Sequence, residues 1–138
     1  MICSRCKMLA VLLIVFCAAV QGQTADTEKL IANSWMLSKY TRNGEMLPPP
    51  AGHEKDKLNL YVDHTFYNES EQDEGTWKYD AEKKILTISG QMTIDFKLID
   101  ISPNQCVLEA ENPGDKSTIR MYLKAAPKEW VKKNTPNE

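Results

Sequence analysis

Between Trp35 and Lys124 apolar residues recur at every second position in short runs, and Gly, Pro, Asn and Asp separate the runs. Residues 75–88 set the pattern. Trp77 and Tyr79 fall on one side of an extended segment and Thr76 and Lys78 on the other, Asp80-Ala81-Glu82-Lys83 forms a polar turn, and Ile85-Leu86-Thr87-Ile88 runs back. A period of two is strand patterning, whereas a helix would space its apolar residues three and four apart. The β-branched density of the second run points the same way.

The same reading extends over the chain in both directions. Asp26 is placed to cap a short helix through Asn33 that turns Leu30 and Ile31 to one side. Trp35 to Tyr40 alternates as a first strand and meets the turn signal Asn43-Gly44. Leu47 to Asp56 holds three consecutive prolines and is expected as a stiff, irregular connection. Lys57 to Val62 puts Leu58, Leu60 and Val62 on one face, Asp63-His64 turns with φ > 0 expected at His64, and Thr65 to Ser70 returns with Phe66 on that face. Met92, Ile94, Phe96 and Leu98 alternate inward against Thr93, Asp95 and Lys97, Cys106 to Glu111 follows, and Thr118 to Lys124 turns Ile119, Met121 and Leu123 inward. Ala125 to Lys133 predicts a short helical tail anchored by Trp130.

About eight short strands joined by hairpin-length turns imply an all-β fold and an antiparallel meander. We expect an up-and-down β-barrel with the short N-terminal helix at one end and the short C-terminal helical tail beyond the last strand. Closure removes the free edges that an open sheet leaves exposed. A β-sandwich is the alternative arrangement of the same strands.

The N-terminus changes the picture of what folds. Arg5 and Lys7 precede an unbroken apolar run from Met8 to Val20, short of the roughly 20 residues a spanning helix needs and suited to a cleaved export signal. Cleavage is placed after Gly22, giving a signal peptide 1–22 and a single domain 23–138, periplasmic or secreted. The alternative is lipid anchoring at Cys17, although Phe16 is larger than the residue usual before a lipidated Cys. Removing 22 of the 138 residues leaves 116, one domain's worth, and takes two of the 17 basic groups and none of the 19 acidic ones, so the net charge of −2 becomes −4. That acidity gives no electrostatic reason to expect nucleic acid as a partner. The mature chain keeps one cysteine, Cys106, expected as a small buried hydrophobe rather than half of a disulfide. No transmembrane segment is expected in the mature chain, and a monomer is.

Asn33-Ser34-Trp35 leading into the first strand, Gly75-Thr76-Trp77, and Arg120-Met121-Tyr122-Leu123-Lys124 in the last strand together resemble the small bacterial lipocalin-like family over about residues 28–124. The resemblance implies a barrel whose first-strand Trp35 sits at the closed end with Arg120 packed against it. Strict alternation with Ile119, Met121 and Leu123 instead points Arg120 outward. It further implies a small apolar ligand held in the interior, entered opposite the helix, with the loop Leu47 to Asp56 over the mouth. The candidate lining is Leu37, Leu60, Phe66, Trp77, Tyr79, Ile94, Phe96 and Met121, with Leu58, Leu86 and Leu108 also inward.

Candidate chemistry adds little to this. His53, Glu54 and Asp56, and Asp63 with His64, lack the spacing of a structural zinc site, and residues 69–74 lack the pattern of a calcium loop. No nucleophile elbow or HExxH frames a catalytic set, so neither catalysis nor a cofactor is expected. Asn68-Glu69-Ser70 matches a glycosylation acceptor that matters only in a eukaryotic secretory route. Eight-stranded barrels are just wide enough to be filled by side chains or to hold one small ligand. A filled scaffold or interaction module of the cell envelope is therefore the alternative to a binding barrel.

Overall fold

The computed structural model describes residues 26–127. The expected export signal, its cleavage site and Cys17 lie outside those residues, as does most of the helical tail expected over Ala125 to Lys133; Ala125 itself is the last residue of a strand, and Ala126 and Pro127 are not helical. Nine strands follow the short helix at residues 26–31: β1 (Ser34–Arg42), β2 (Glu45–Leu47), β3 (Lys57–Leu60), β4 (Thr65–Asn68), β5 (Asp73–Asp80), β6 (Ile85–Ser89), β7 (Thr93–Ile101), β8 (Gln105–Glu111) and β9 (Thr118–Ala125). From β3 to β9 each strand pairs antiparallel with the next, and β9 returns to β1, which closes an eight-stranded barrel.

β1 closes the ring because it is bonded along both edges. On one edge it meets β9 from Trp35↔Ala125 to Arg42↔Ile119. On the other, Ser34 to Met36 pair with β3 and Tyr40 to Arg42 pair with β2. β2 and β3 thus lie end to end beside β1, and the proline-rich stretch 48–56 loops out between them. The sequence marked no strand at Glu45–Leu47. The Asn43-Gly44 turn forms it, with φ of 48° and 85°, the left-handed pair that a tight hairpin demands.

Register assigns every interior side chain. Leu58 faces Trp35 and Asn68, Phe66 faces Leu60 and Gly75, Leu86 faces Tyr79 and Phe96, and Leu108 faces Leu98 and Met121. Two bulges shift the phase. The one between Leu37 and Lys39 turns Tyr40, not Lys39, to the side shared with Met121, and Lys39 stands outside, its Nζ 5.2 Å from the Tyr122 ring centroid. The other, between Leu98 and Asp100, carries β7 on to Ile101 opposite Cys106.

Two expected inward residues are corrected here. Val62 is 85% exposed because β3 stops at Leu60 and residues 61–64 form the turn, with His64 at φ 68°. Met92 is 59% exposed because β7 begins at Thr93, which leaves Met92 on the turn before it.

The ends of the barrel differ. Helix 26–31, the start of β1, turns 61–64 and 81–84 and the end of β9 gather at one end. The Asn43-Gly44 turn, the 48–56 loop and the connections 69–72, 90–92 and 112–117 gather at the other. The helix end is packed solid. Ile31, Leu86 and Leu108 are fully buried, and Trp35, 1% exposed, donates its Nε1–H to the Ile31 carbonyl at 3.0 Å. Trp77 donates its own Nε1–H to the Tyr61 carbonyl at 2.9 Å, and its ring meets His64 edge-on with centroids 4.6 Å apart. Outside the core, buried Ser34 donates from Oγ to Asn59 Oδ1 at 2.7 Å, and the Asn59 amide reaches the Tyr67 carbonyl. That network ties β1, β3 and β4 where the β1–β3 ladder is only three pairs long.

Gly75, on β5, leaves no room for a side chain. A Cβ there would lie 2.0 Å from the Ser89 carbonyl oxygen and 3.0 Å from the Phe66 ring. Gly75→Ala should destabilise the fold by about 1–3 kcal/mol, read as a lowered melting temperature or denaturant midpoint. Trp35→Phe removes the indole N–H and part of the ring, leaving the Ile31 carbonyl unpaired beside a small void, and should cost about 1–3 kcal/mol in the same assay.

Candidate functional site: a cavity in the open half of the barrel

The half of the barrel away from the helix is hollow. A cavity of about 370 Å³ opens between the connections 69–72 and 90–92 and the end of the 48–56 loop, and its wall is mainly apolar. Trp35 and Leu123 lie in its lining, Leu37, Leu58, Phe66 and Ile88 form the walls, and Ile94, Phe96 and Met121 continue toward the mouth. Phe96, Ile94 and Met121 are half-buried rather than closed over, as the open end requires. Local geometry accompanies the hollow: along the β2–β3 edge of β1, residues 37–39 have no ladder partner, and the inward position opposite Leu58 on β4 is the short, polar Asn68.

Of the residues the sequence placed in the lining, Leu37, Phe66, Ile94, Phe96 and Met121 border the cavity, as does Leu58. Leu60, Trp77 and Tyr79 do not. Leu60 lies at the helix end, where its N–H donates to the Asn33 carbonyl, and Trp77 turns its indole toward the 61–64 turn. Tyr79 pairs with Leu86 one residue before β5 ends, and partial burial raises its phenol pKa above the ordinary value. Alternation finds the inward face but carries no information on depth along the barrel axis, which is why it merged plug and lining.

Arg120 does not join Trp35. It lies between Thr41 and Glu109, five residues along β9 from the Ala125 opposite Trp35, and it faces outward as strict alternation has it. Glu109 Oε2 accepts from Arg120 Nη2 at 2.7 Å and from Nε at 2.9 Å, which raises the guanidinium pKa further. The Ile31 carbonyl, not a basic residue, is what holds the Trp35 ring.

The sequence missed the polar rim. Asp56, Asn68, Ser70, Glu71, Asp73 and Gln91 surround the mouth, although residues 69–74 read as a solvated connection. The only signal was parity, since Asp73 is in phase with Gly75 and Trp77 on β5. Asp56 Oδ2 lies 2.6 Å from His53 Nδ1 and accepts from Ser70 Oγ at 3.1 Å. The His53 bond chiefly holds its carboxyl below the usual range. Asp73 accepts the Gln91 N–H at 3.1 Å, which clamps the 90–92 turn.

Among the described residues no group of three or more His, Cys, Asp and Glu is set to hold a metal, and no helix is long and apolar enough to cross a membrane. Cys106, 1% exposed, is a free thiol whose pKa burial pushes up to about 12. No family model, curated protein or solved structure matches the chain. The functional reading therefore rests on the cavity itself.

The thiol gives a direct check on the packed half. Alkylation of Cys106 near neutral pH should be very slow in the folded protein and fast in denaturant, because only opening exposes the sulfur and lets it ionise. Between the ordinary thiol value of 9.0 and about 12 the unfolded chain loses this proton while the folded chain keeps it. The contribution of Cys106 to stability should therefore fall as pH rises through that window, seen by comparing the wild type with Cys106→Ala.

Proposed function

We propose that this chain is an exported, lipocalin-like barrel that binds a small hydrophobic molecule in the open half of its interior. The observation that carries the reading is the hollow of about 370 Å³ beside the buried apolar cluster of the barrel. Side chains could fill a barrel of this size, and here they leave one end as an apolar-walled chamber open to entry. The volume falls at the low end of the roughly 300–1,000 Å³ typical of small-molecule sites. An apolar wall with a few polar groups confined to one rim is the usual division of labour in such sites: the wall binds and the rim orients.

The filled-scaffold alternative is best supported at the helix end, where Ile31, Leu86 and Leu108 are fully buried. A rigid plug at one end and an open chamber at the other is also how a preformed site avoids the entropy of reorganising on binding.

Native mass spectrometry of the mature protein from its own host, with lipid extraction alongside, tests the proposal. A co-purifying small molecule near one-to-one is the expected result. Phe96→Trp should displace it and leave the melting temperature almost unchanged, since the added ring enters empty space. A clean apo mass, together with a destabilisation of about 1–3 kcal/mol in Phe96→Trp, would instead mean an overpacked, filled core and would overturn the reading.

A further inference from the structure

The chemistry of the mouth narrows the ligand beyond an apolar body. Asp56, Glu71 and Asp73 all border the cavity, and none of its sixteen lining residues is Lys, Arg or His. Cations do stand at this end of the barrel: His53 Nδ1 lies 2.6 Å from Asp56 Oδ2, Lys55 precedes Asp56 in the 48–56 loop, and two more are paired with carboxylates outside the lining. Lys57 Nζ sits 3.2 Å from Glu69, and Arg42 is paired with Asp115. Glu69 and Asp115 lie outside the lining, so those two pairs leave the charge of Glu71 and Asp73 in place, while Asp56 shares its charge with His53 and, at longer range, with Lys57.

The three rim carboxylates differ in what occupies them. Asp56 is hydrogen-bonded by His53 and Ser70, and Asp73 by the Gln91 N–H. Glu71 is exposed and forms no ion pair among the described residues. Beside them Asn68, Ser70 and Gln91 supply further oxygen acceptors. A carboxylate-headed ligand entering this chamber would bring its charge up against three of like sign, next to an apolar wall that screens poorly. An ammonium head would meet complementary charge and acceptors at the point where its chain enters the chamber.

We infer that the barrel selects cationic amphiphiles: an aliphatic or aromatic body in the chamber bounded by Leu37, Phe66, Ile94, Phe96 and Met121, and a protonated amine at the rim of Asp56, Glu71 and Asp73. The inference rests on the hollow-barrel reading proposed above and adds the sign of the head group. It excludes fatty acids as the preferred cargo.

Three probes of one chain length separate the two claims: decylamine, decanol and decanoate, titrated below their micellar concentrations against the mature protein by calorimetry. The amine should bind about tenfold or more tighter than the carboxylate, with the alcohol between them. The gap should shrink as salt rises from about 10 mM to about 0.5 M, because the rim is solvent-exposed. Glu71→Lys should weaken the amine and strengthen the carboxylate, with its circular dichroism spectrum and melting temperature reporting an intact fold. Decanoate binding as tightly as decylamine, with decanol bound, would overturn the charge selection and leave the hollow barrel standing. Failure of all three to bind would overturn both.

Discussion

The rest of the structure depends on β1 being hydrogen-bonded on both edges. Its first residues are held at the same time by Ala125 and Lys124 of β9 and by Lys57, Leu58 and Asn59 of β3. A meander of short strands has two free edges unless its ends meet, and free edges are both unstable and prone to pair with other chains. Here the two ends of the chain's β-structure meet on one strand, and the Trp35 side chain lies at the joint. Its hydrogen bond to the Ile31 carbonyl brings the preceding helix across the barrel end, so one residue joins closure of the wall to closure of the base.

The interior is divided along its axis, and that division separates stability from function. At the helix end Ile31, Leu86 and Leu108 are fully buried in one apolar cluster with Trp35 and Trp77, and Cys106 is buried among them with its thiol pKa raised. At the other end the inward positions include Asn68, Asp73 and Gly75, and small or polar residues cannot fill a barrel of eight strands. A barrel can therefore be stable and hollow at once, provided that its bulk is spent at one end. Gly75 belongs to both halves, since it lets Phe66 and β6 approach closely at the boundary between plug and chamber.

Much of this was legible in the sequence. Period-two alternation located eight of the nine strands, Asn43-Gly44 announced its hairpin, and the residue at the Asp63-His64 turn adopts the positive φ expected of it. The errors share one cause. Val62 and Met92 continue an apolar alternation beyond the point where the ladder ends, and nothing local says where a partner strand stops. Arg120 was drawn toward Trp35 by resemblance, while its own parity already placed it outside beside Glu109.

By itself, the sequence determined the fold class, the inward face of most strands and the burial of Cys106, because alternation, turn residues and apolar content are local properties written in consecutive positions. Only the tertiary structure decided which inward residues plug the barrel and which line a chamber. It also revealed that Asp56, Glu71 and Asp73 share one rim. Depth along a barrel axis is set by the stagger between strands and by bulges such as the one after Leu37. Those are properties of pairs of strands, and a pattern read along a single strand does not contain them.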